Sequence, residues 1–557
     1  MQFTSILGET PYHLKPSEIK YPSYFKDLNL DQIIEKILEK WKDYKLEKYF
    51  YYPALTEEVL LFRREIFLAL SDYELKNAMI EFSMSLKKSR KFMEYREDLF
   101  NRMQYFTAKK SSKSSLSISA KTASEIKCQH FLFDSARLYT LAITKLFSVL
   151  EKQISKEKVL EKKSVGFLSF YEFLKTYCSS NEFTALCLDV QKTEQSLSLL
   201  TFRMELSGTK LILHDDYETF NARDEIIKRC NMKSKTASST DHNHQTNYQT
   251  MSCPFSNVLE LEDFEGLLLS MLQKGHKDVF QNLEEFSTKH SAFYEPRLLQ
   301  FEEEIQVYLS VKEFVTSMQE QGFSFSFPEI TSSKTEITPS SVRFLLQNNY
   351  DLALACKYRF TPEKVIKNDC TLFSKEHFFV ITGPNQGGKT TFARAVGQAI
   401  YFHQMGFPIA GTKASMPVFS ALLTHFPTEE DVKTGSGKLK EELSRLEPMI
   451  HSKLEHGFVI LNELFTTATS YDAEIMGKQV LQSFMKKNFL GIYVTHLQEL
   501  AQTWDKGIVS ITALVDKDEK TRTYHIIRAK AKGIAYAQTI AEKYKLSYED
   551  ILKRVKK

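Results

Sequence analysis

The chain has little of what would mark a disulfide scaffold, a metal centre, a membrane span or a strong electrostatic field. Its seven cysteines, at 128, 178, 187, 230, 253, 356 and 370, include no CxxC pair and no nearby histidine cluster. Neither a bridge framework nor a zinc site is expected, only reduced thiols. No apolar run reaches membrane-spanning length, which argues against an integral helical membrane protein. A net charge of +4 over 557 residues is close to neutral. Any contact with nucleic acid must therefore come from local patches. The start, MQFTSILGETPYHLKPSEIK, has neither the apolar core of a signal peptide nor the Arg-rich, acid-free character of a transit peptide. A cytoplasmic location is expected. The length points to roughly two to four domains.

After an N-terminal segment at 1–24, residues 25–345 hold few glycines and prolines and many Leu, Lys, Glu and Phe residues, a helix-forming composition. Leu261, Phe264, Leu268 and Leu272 recur at helical spacing, as do Leu298, Phe301, Ile305 and Tyr308, and each set predicts one buried stripe. Two polar stretches, 107–125 and 232–254, are too rich in Ser, Thr, Asn and Lys to bury much surface and read as loops between helices. Their lysines leave contact with a phosphate backbone open. KKSRKFMEYR, 87–96, is open in the same way: its charges fit contact with a phosphate backbone or a solvated helix face with Phe92, Met93 and Tyr95 turned inward.

From 346 to 557 short apolar runs alternate with glycine and turn residues, as in alternating strands and helices. HFFVIT leads into Gly383-Pro384-Asn385-Gln386-Gly387-Gly388-Lys389-Thr390, followed by Thr391 and a helical pattern to Gln404. This is GxxxxGK[ST] between a strand and a helix. Glycines let backbone amides turn toward phosphate oxygens, the helix N-terminus adds its dipole, Lys389 reaches β and γ phosphates, and Thr390 can ligate magnesium. A second strand, Phe458 to Leu461, ends in Asn462-Glu463. Glu463 can orient or deprotonate an attacking water, while Asn462 offers a neutral carbonyl to magnesium-bound water. A third, LGIYVTH, ends in His496, placed to sense a γ phosphate at the same sheet edge.

Together these residues resemble the MutS family of DNA mismatch repair ATPases, members of the ABC ATPase class. TGPNQGGKTT is similar to the family's TGPNxxGK[ST]T loop, TSYD at 469–472 to its TSTYD segment, and VTHLQEL at 494–500 to its ATHxxEL switch. IKNDCTL at 366–372 resembles the segment entering the first strand, and FKDLNLDQI, YYPALTEEVLLFRREIF and FEEEIQVYLSVKEF resemble core and lever helices. The resemblance implies an α plus α/β fold, a helical core, lever and clamp followed by an ABC-type P-loop ATPase domain. It also implies ATP and Mg2+ as ligands, Glu463 and His496 as catalytic groups, and a homodimer on duplex or branched DNA. In such dimers one subunit reaches the other's nucleotide. TGSGKLKEEL at 434–443 occupies that interval, with Ser436, Gly437 and Lys438 as the trans contacts and no STF sequence.

Two departures from the family pattern shape the functional expectation. Asn462 stands where the family has aspartate, and core-like sequence begins by about residue 26, so a short form without mismatch-recognition and connector domains is expected. FYE at 293–295 mimics the mismatch wedge but reads as a helix start with Pro296 in its first turn. Three functions stay open: an ATPase clamping structured DNA, an ATP-gated DNA-binding scaffold with little hydrolysis, and an ABC-type ATPase acting on RNA or protein.

Overall fold

The computed structural model describes residues 3–8, 21–109, 115–159, 167–200, 202–207, 210–214, 249–252, 268–269, 271–331, 341–427, 437–502, 505–515, 522–530 and 548–555. The chain divides into two compact units, one comprising Met1–Lys76, Glu157–Ser169 and Gln300–Lys557, the other Asn77–Lys156 and Phe170–Leu299. The combination of helices with an α/β sheet is the mixed architecture expected.

The second unit is built mainly on helices, two of them long: Tyr73–Lys109 and Ser115–Val159. They meet closely at Ser89 and Ser135, both fully buried, where each hydroxyl donates to the other residue's carbonyl at 2.7 and 2.9 Å. Tyr294 Oη lies 2.7 and 2.8 Å from these hydroxyls. Small side chains permit the approach, and mutual hydrogen bonds remove the cost of burying them. The wedge-like FYE is thus part of the packing: Phe293 lies edge-on to Tyr139, and the next helix starts at Pro296.

Three expectations for this region change. Most of 107–125 is helical, with helices reaching Lys109 and resuming at Ser115; the polar residues sit on helices long enough to be carried by their apolar neighbours. Gln249–Ser252, inside the expected 232–254 loop, is a strand, joined to an antiparallel pair at Arg203–Ser207 and Lys210–His214. The period-two alternation of Met204 and Leu206 with Leu211 and Leu213 is the signal for that pair. Tyr95 is 45% exposed rather than inward, with Lys91 over its ring, while Phe92 stacks on Phe131. Of the two stripes, Leu298, Phe301, Ile305 and Tyr308 are fully buried and Leu272 is buried; Leu261 and Phe264 lie outside the described residues.

The first unit centres on a six-stranded sheet. Its strands are β1 (Phe378–Thr382), β2 (Leu422–His425), β3 (Phe458–Asn462), β4 (Leu490–Val494), β5 (Ile508–Val515) and β6 (Arg522–Arg528), in the order β2-β3-β4-β1-β5-β6. All neighbours are parallel except β5 and β6. Every residue of β1, β3 and β4 is buried, as expected of strands covered on both faces. Val380, Leu461 and Tyr493 pack with Leu481 and Phe484 of helix Ser470–Lys486. Because β1, β3 and β4 are central and parallel, their carboxyl ends open on one edge, where open α/β sheets bind ligands.

Among the described residues no helix is long and apolar enough to cross a membrane, and no group of three or more His, Cys, Asp or Glu is placed to hold a metal. Cys128, Cys178, Cys187, Cys356 and Cys370 are free thiols.

Candidate functional site

The loop after β1 turns sharply into helix Lys389–Gln404, and its backbone explains the glycines. Gly383 and Gly388 have φ of +129° and +88°, conformations that side-chain-bearing residues rarely adopt. A Cβ at Gly388 would stand in ordinary contact with Tyr524 of β6, at 3.5 Å, so the positive φ is what calls for glycine there. Gln386 takes a positive φ without being glycine, a strained position of the kind found where a loop is shaped for a ligand.

Lys389 is buried, and its Nζ donates to the carbonyls of Gly383 and Pro384 at 2.9 and 3.0 Å. Burial lowers the lysine's pKa and the Glu463 carboxylate opposes that shift. The ammonium is thereby held at the loop's centre, where an incoming anion can replace carbonyl partners with stronger charge-assisted ones. Thr390 Oγ1 donates to Asn462 Oδ1 at 3.3 Å, joining the helix start to the end of β3.

Glu463 and His496 arrive from neighbouring strands. The amide of Glu463 donates to the carbonyl of Val494 at 2.8 Å, and that of Thr495 to Ile381 at 3.0 Å, so the three strand ends are stitched together. His496 Nε2 then lies 3.2 Å from Glu463 Oε1. The hydrogen bond from His496 is the main cause that holds the Glu463 carboxyl below the usual carboxylate range, with partial burial opposing it. Glu463 and Phe465 both have positive φ. The amide of Phe465 donates to the buried carboxylate of Glu442 at 3.0 Å, which pins the turn that presents Glu463.

A cavity of about 660 Å³ opens over this edge, lined by Asn385 through Thr391 together with Glu463 and His496. Gly383 and Pro384 stand behind that lining as carbonyl partners of Lys389, and Asn462 is buried beneath it as the partner of Thr390. Ser436 lies outside the described residues. Gly437 is exposed and precedes helix Lys438–His451, and it is not among the residues that line the cavity.

The sequence did not single out the rest of the wall. It includes Tyr350, Asp351, Tyr358, Lys364, Asn368 and Tyr524. Asn368 is fixed by two bonds to β6, accepting from the amide of Ile526 at 2.7 Å and donating to the carbonyl of Tyr524 at 3.2 Å. Asp351 caps a helix start and accepts from Gln398 at 3.0 Å, and burial raises its pKa. Only an Asn-Asp pair in IKNDCTL and a lone Tyr in a polar strand pointed to these positions. Glu442, within a run of charges, carried no signal at all.

The oxygen donors suit a hard divalent cation shared with phosphates: the Thr390 hydroxyl, the Asn462 carbonyl and the nearby Glu463 carboxylate. Only Glu463 among them is anionic.

The model of MutS domain V matches residues 379–554, beginning in β1 and taking in the phosphate loop, Asn462, Glu463, His496 and Tyr524. The chain is 24% identical over 246 residues to the DNA mismatch repair protein MutS of Thermotoga petrophila, covering 44% of this chain and 29% of that protein. It is 25% identical over 191 residues to the Endonuclease MutS2 of Thermus thermophilus, covering 34% and 25%. With the DNA mismatch repair protein MutS of Fervidobacterium nodosum the identity is 22% over 371 residues, covering 62% and 44%. The chain thus spans less than half the length of each of these relatives. A domain V match across the phosphate loop, the Asn462-Glu463 strand end and the His496 strand, with relatives of both MutS and MutS2 type, identifies residues 379–554 as a domain of the MutS family.

Proposed function

We propose that residues 346–557 form an ABC-type P-loop ATPase domain that binds and hydrolyses ATP, and that the protein acts on DNA in repair. The observation that supports this most directly is the meeting, around one cavity, of Lys389, Thr390, Glu463 and His496 from three parallel strand ends. The amides of 385–391 and the Lys389 ammonium would hold the phosphates. Glu463, kept ionised by His496, orients the attacking water and accepts its proton. His496, hydrogen-bonded to Glu463, orients the carboxylate and would report the state of the γ phosphate. Magnesium, held by Thr390 and through water by Asn462, would neutralise charge on the phosphate oxygens. Its affinity is lower than with an aspartate there, because a neutral amide replaces an anion. DNA as partner is suggested by the relatives, which are DNA mismatch repair proteins, and a homodimer with Ser436, Gly437 and Lys438 at the partner's nucleotide follows from the family resemblance.

The neutral Asn462 also favours a second reading, an ATP-gated DNA-binding scaffold with little turnover. One experiment separates the two: steady-state ATP hydrolysis by wild type, Asn462→Asp and Glu463→Ala, with and without linear or branched duplex DNA. The ATPase reading expects DNA-dependent turnover in wild type and a loss of about 10²- to 10⁴-fold in Glu463→Ala. Nucleotide binding without turnover, gained only by Asn462→Asp, establishes the scaffold instead. ATP binding that no DNA alters would remove DNA from either reading.

A further inference from the structure

A second cleft, of about 280 Å³, lies within the first unit. Its walls come from the end of helix Leu30–Ile37 and the Glu39–Trp41 turn, from helix Pro296–Glu320, and from the end of helix Leu352–Lys357 with Arg359 and Phe360. Cavities that hold drug-sized ligands start at about 300 Å³, so this one suits one or two side chains rather than a nucleotide.

Its charges do not cancel. Glu313 is taken by Lys40 at 2.5 Å and Glu39 by Lys36 at 3.5 Å. Lys357 has no carboxylate partner among the described residues. Arg359 donates through Nη2 to Ser317, but its Nε is buried and meets no acceptor. A buried guanidinium N–H without an acceptor is costly, and a carboxylate is the group whose geometry repairs it. Beside this pair of cations Phe360 is 79% exposed, and Trp41 and Phe314 line the same cleft. Cys356 adds no anion to compete, since burial pushes its thiol up to about 12.

We propose that this cleft binds a short acidic segment of a partner protein, with one carboxylate on Arg359 and Lys357 and a neighbouring aromatic side chain against Phe360 and Trp41. The chemistry favours a peptide over nucleic acid. A phosphate backbone is held by an extended series of cations, whereas here two surplus cations sit in a compact apolar cleft beside Glu39 and Glu313.

Trp41 is one of two tryptophans in the chain, the other being Trp504, so in a Trp504→Phe background its emission reports on the cleft. The full chain is titrated with the peptide GSDEFDSG, with GSNQFNSG and GSDEADSG as controls, and with a single-stranded oligonucleotide of equal charge. The expected result is a saturable change with GSDEFDSG that salt weakens, that both control peptides lose, and that Lys357→Glu, Phe360→Ala and Arg359→Gln each weaken at least tenfold. Lys357 and Phe360 are exposed, so their variants test the surface without burdening the fold even if Arg359→Gln misfolds. No saturable change up to millimolar peptide, equal binding of GSNQFNSG, or unchanged affinity in Lys357→Glu and Phe360→Ala overturns the proposal. Tighter binding of the oligonucleotide, weakened by the same variants, overturns it too and assigns the cleft to nucleic acid.

Discussion

The sheet edge of the first unit and the helix pair of the second both bury polar groups, with opposite outcomes. In the helix pair every buried hydroxyl of the Ser89, Ser135 and Tyr294 cluster is satisfied inside the protein. At the sheet edge Lys389 donates to its own loop's carbonyls, Glu463 sits on a strained turn, and a cavity opens over both. Polar groups that satisfy one another specify packing, whereas polar groups held in strained or provisional partnerships are available to a ligand.

That contrast can be broken at either end. The largest effect is expected for Lys389→Ala, with nucleotide affinity falling by about one to two orders of magnitude in a titration with a fluorescent nucleotide, the loss of a hydrogen-bonded charge. Thermal unfolding should move much less, because the ammonium's present partners are backbone carbonyls of a loop. An unchanged affinity would show that the loop is only a turn.

Ser135→Leu is the mirror experiment. Forcing a larger side chain between helices Tyr73–Lys109 and Ser115–Val159 should cost about 1–3 kcal/mol in denaturant unfolding, with nucleotide affinity left alone. If affinity fell and stability held, the assignment of roles would be reversed.

A smaller effect sharpens the electrostatics of the site. Because the folded-state pKa of Glu463 is depressed, the contribution of its ionised form is present above the usual carboxylate range and is lost as pH falls through the lowered value. The acid limb of the ATP hydrolysis rate should therefore lie below that range, and His496→Ala should move it upward. An acid limb that His496→Ala leaves in place would separate the two residues functionally.

The smallest expected change is Ser180→Ala. Ser180 caps helix Asn181–Ser198 by accepting from the amide of Phe183 at 3.2 Å, and its loss should cost about 1 kcal/mol in unfolding. Hydrolysis should not respond.

Much of the site was legible because its signals are local. The strands before Gly383, Asn462 and His496 follow from apolar, β-favouring runs, and they fall at Phe378–Thr382, Phe458–Asn462 and Leu490–Val494. The helical region was read less well where composition competed with length. Residues 115–125 look like linker in isolation yet form the start of a 45-residue helix, and the strand at Gln249–Ser252 depends on pairing with Lys210–His214. A short polar window carries no record of either partner.

By itself, the sequence determined the order strand, glycine loop, helix, and the chemical types at the ends of three strands. Those follow from backbone sterics, side-chain branching and the helix N-terminus, all confined to a few neighbouring residues. Only the tertiary structure decided which of these groups meet. It brings Glu463 to His496 across 33 residues and Thr390 to Asn462 across 72. It also sets Asn368 against Tyr524 at 156 and gathers Lys357, Arg359 and Trp41 around one cleft. Strand order, register and helix packing are cooperative properties of the whole sheet and its layers, and no local pattern of residues contains them.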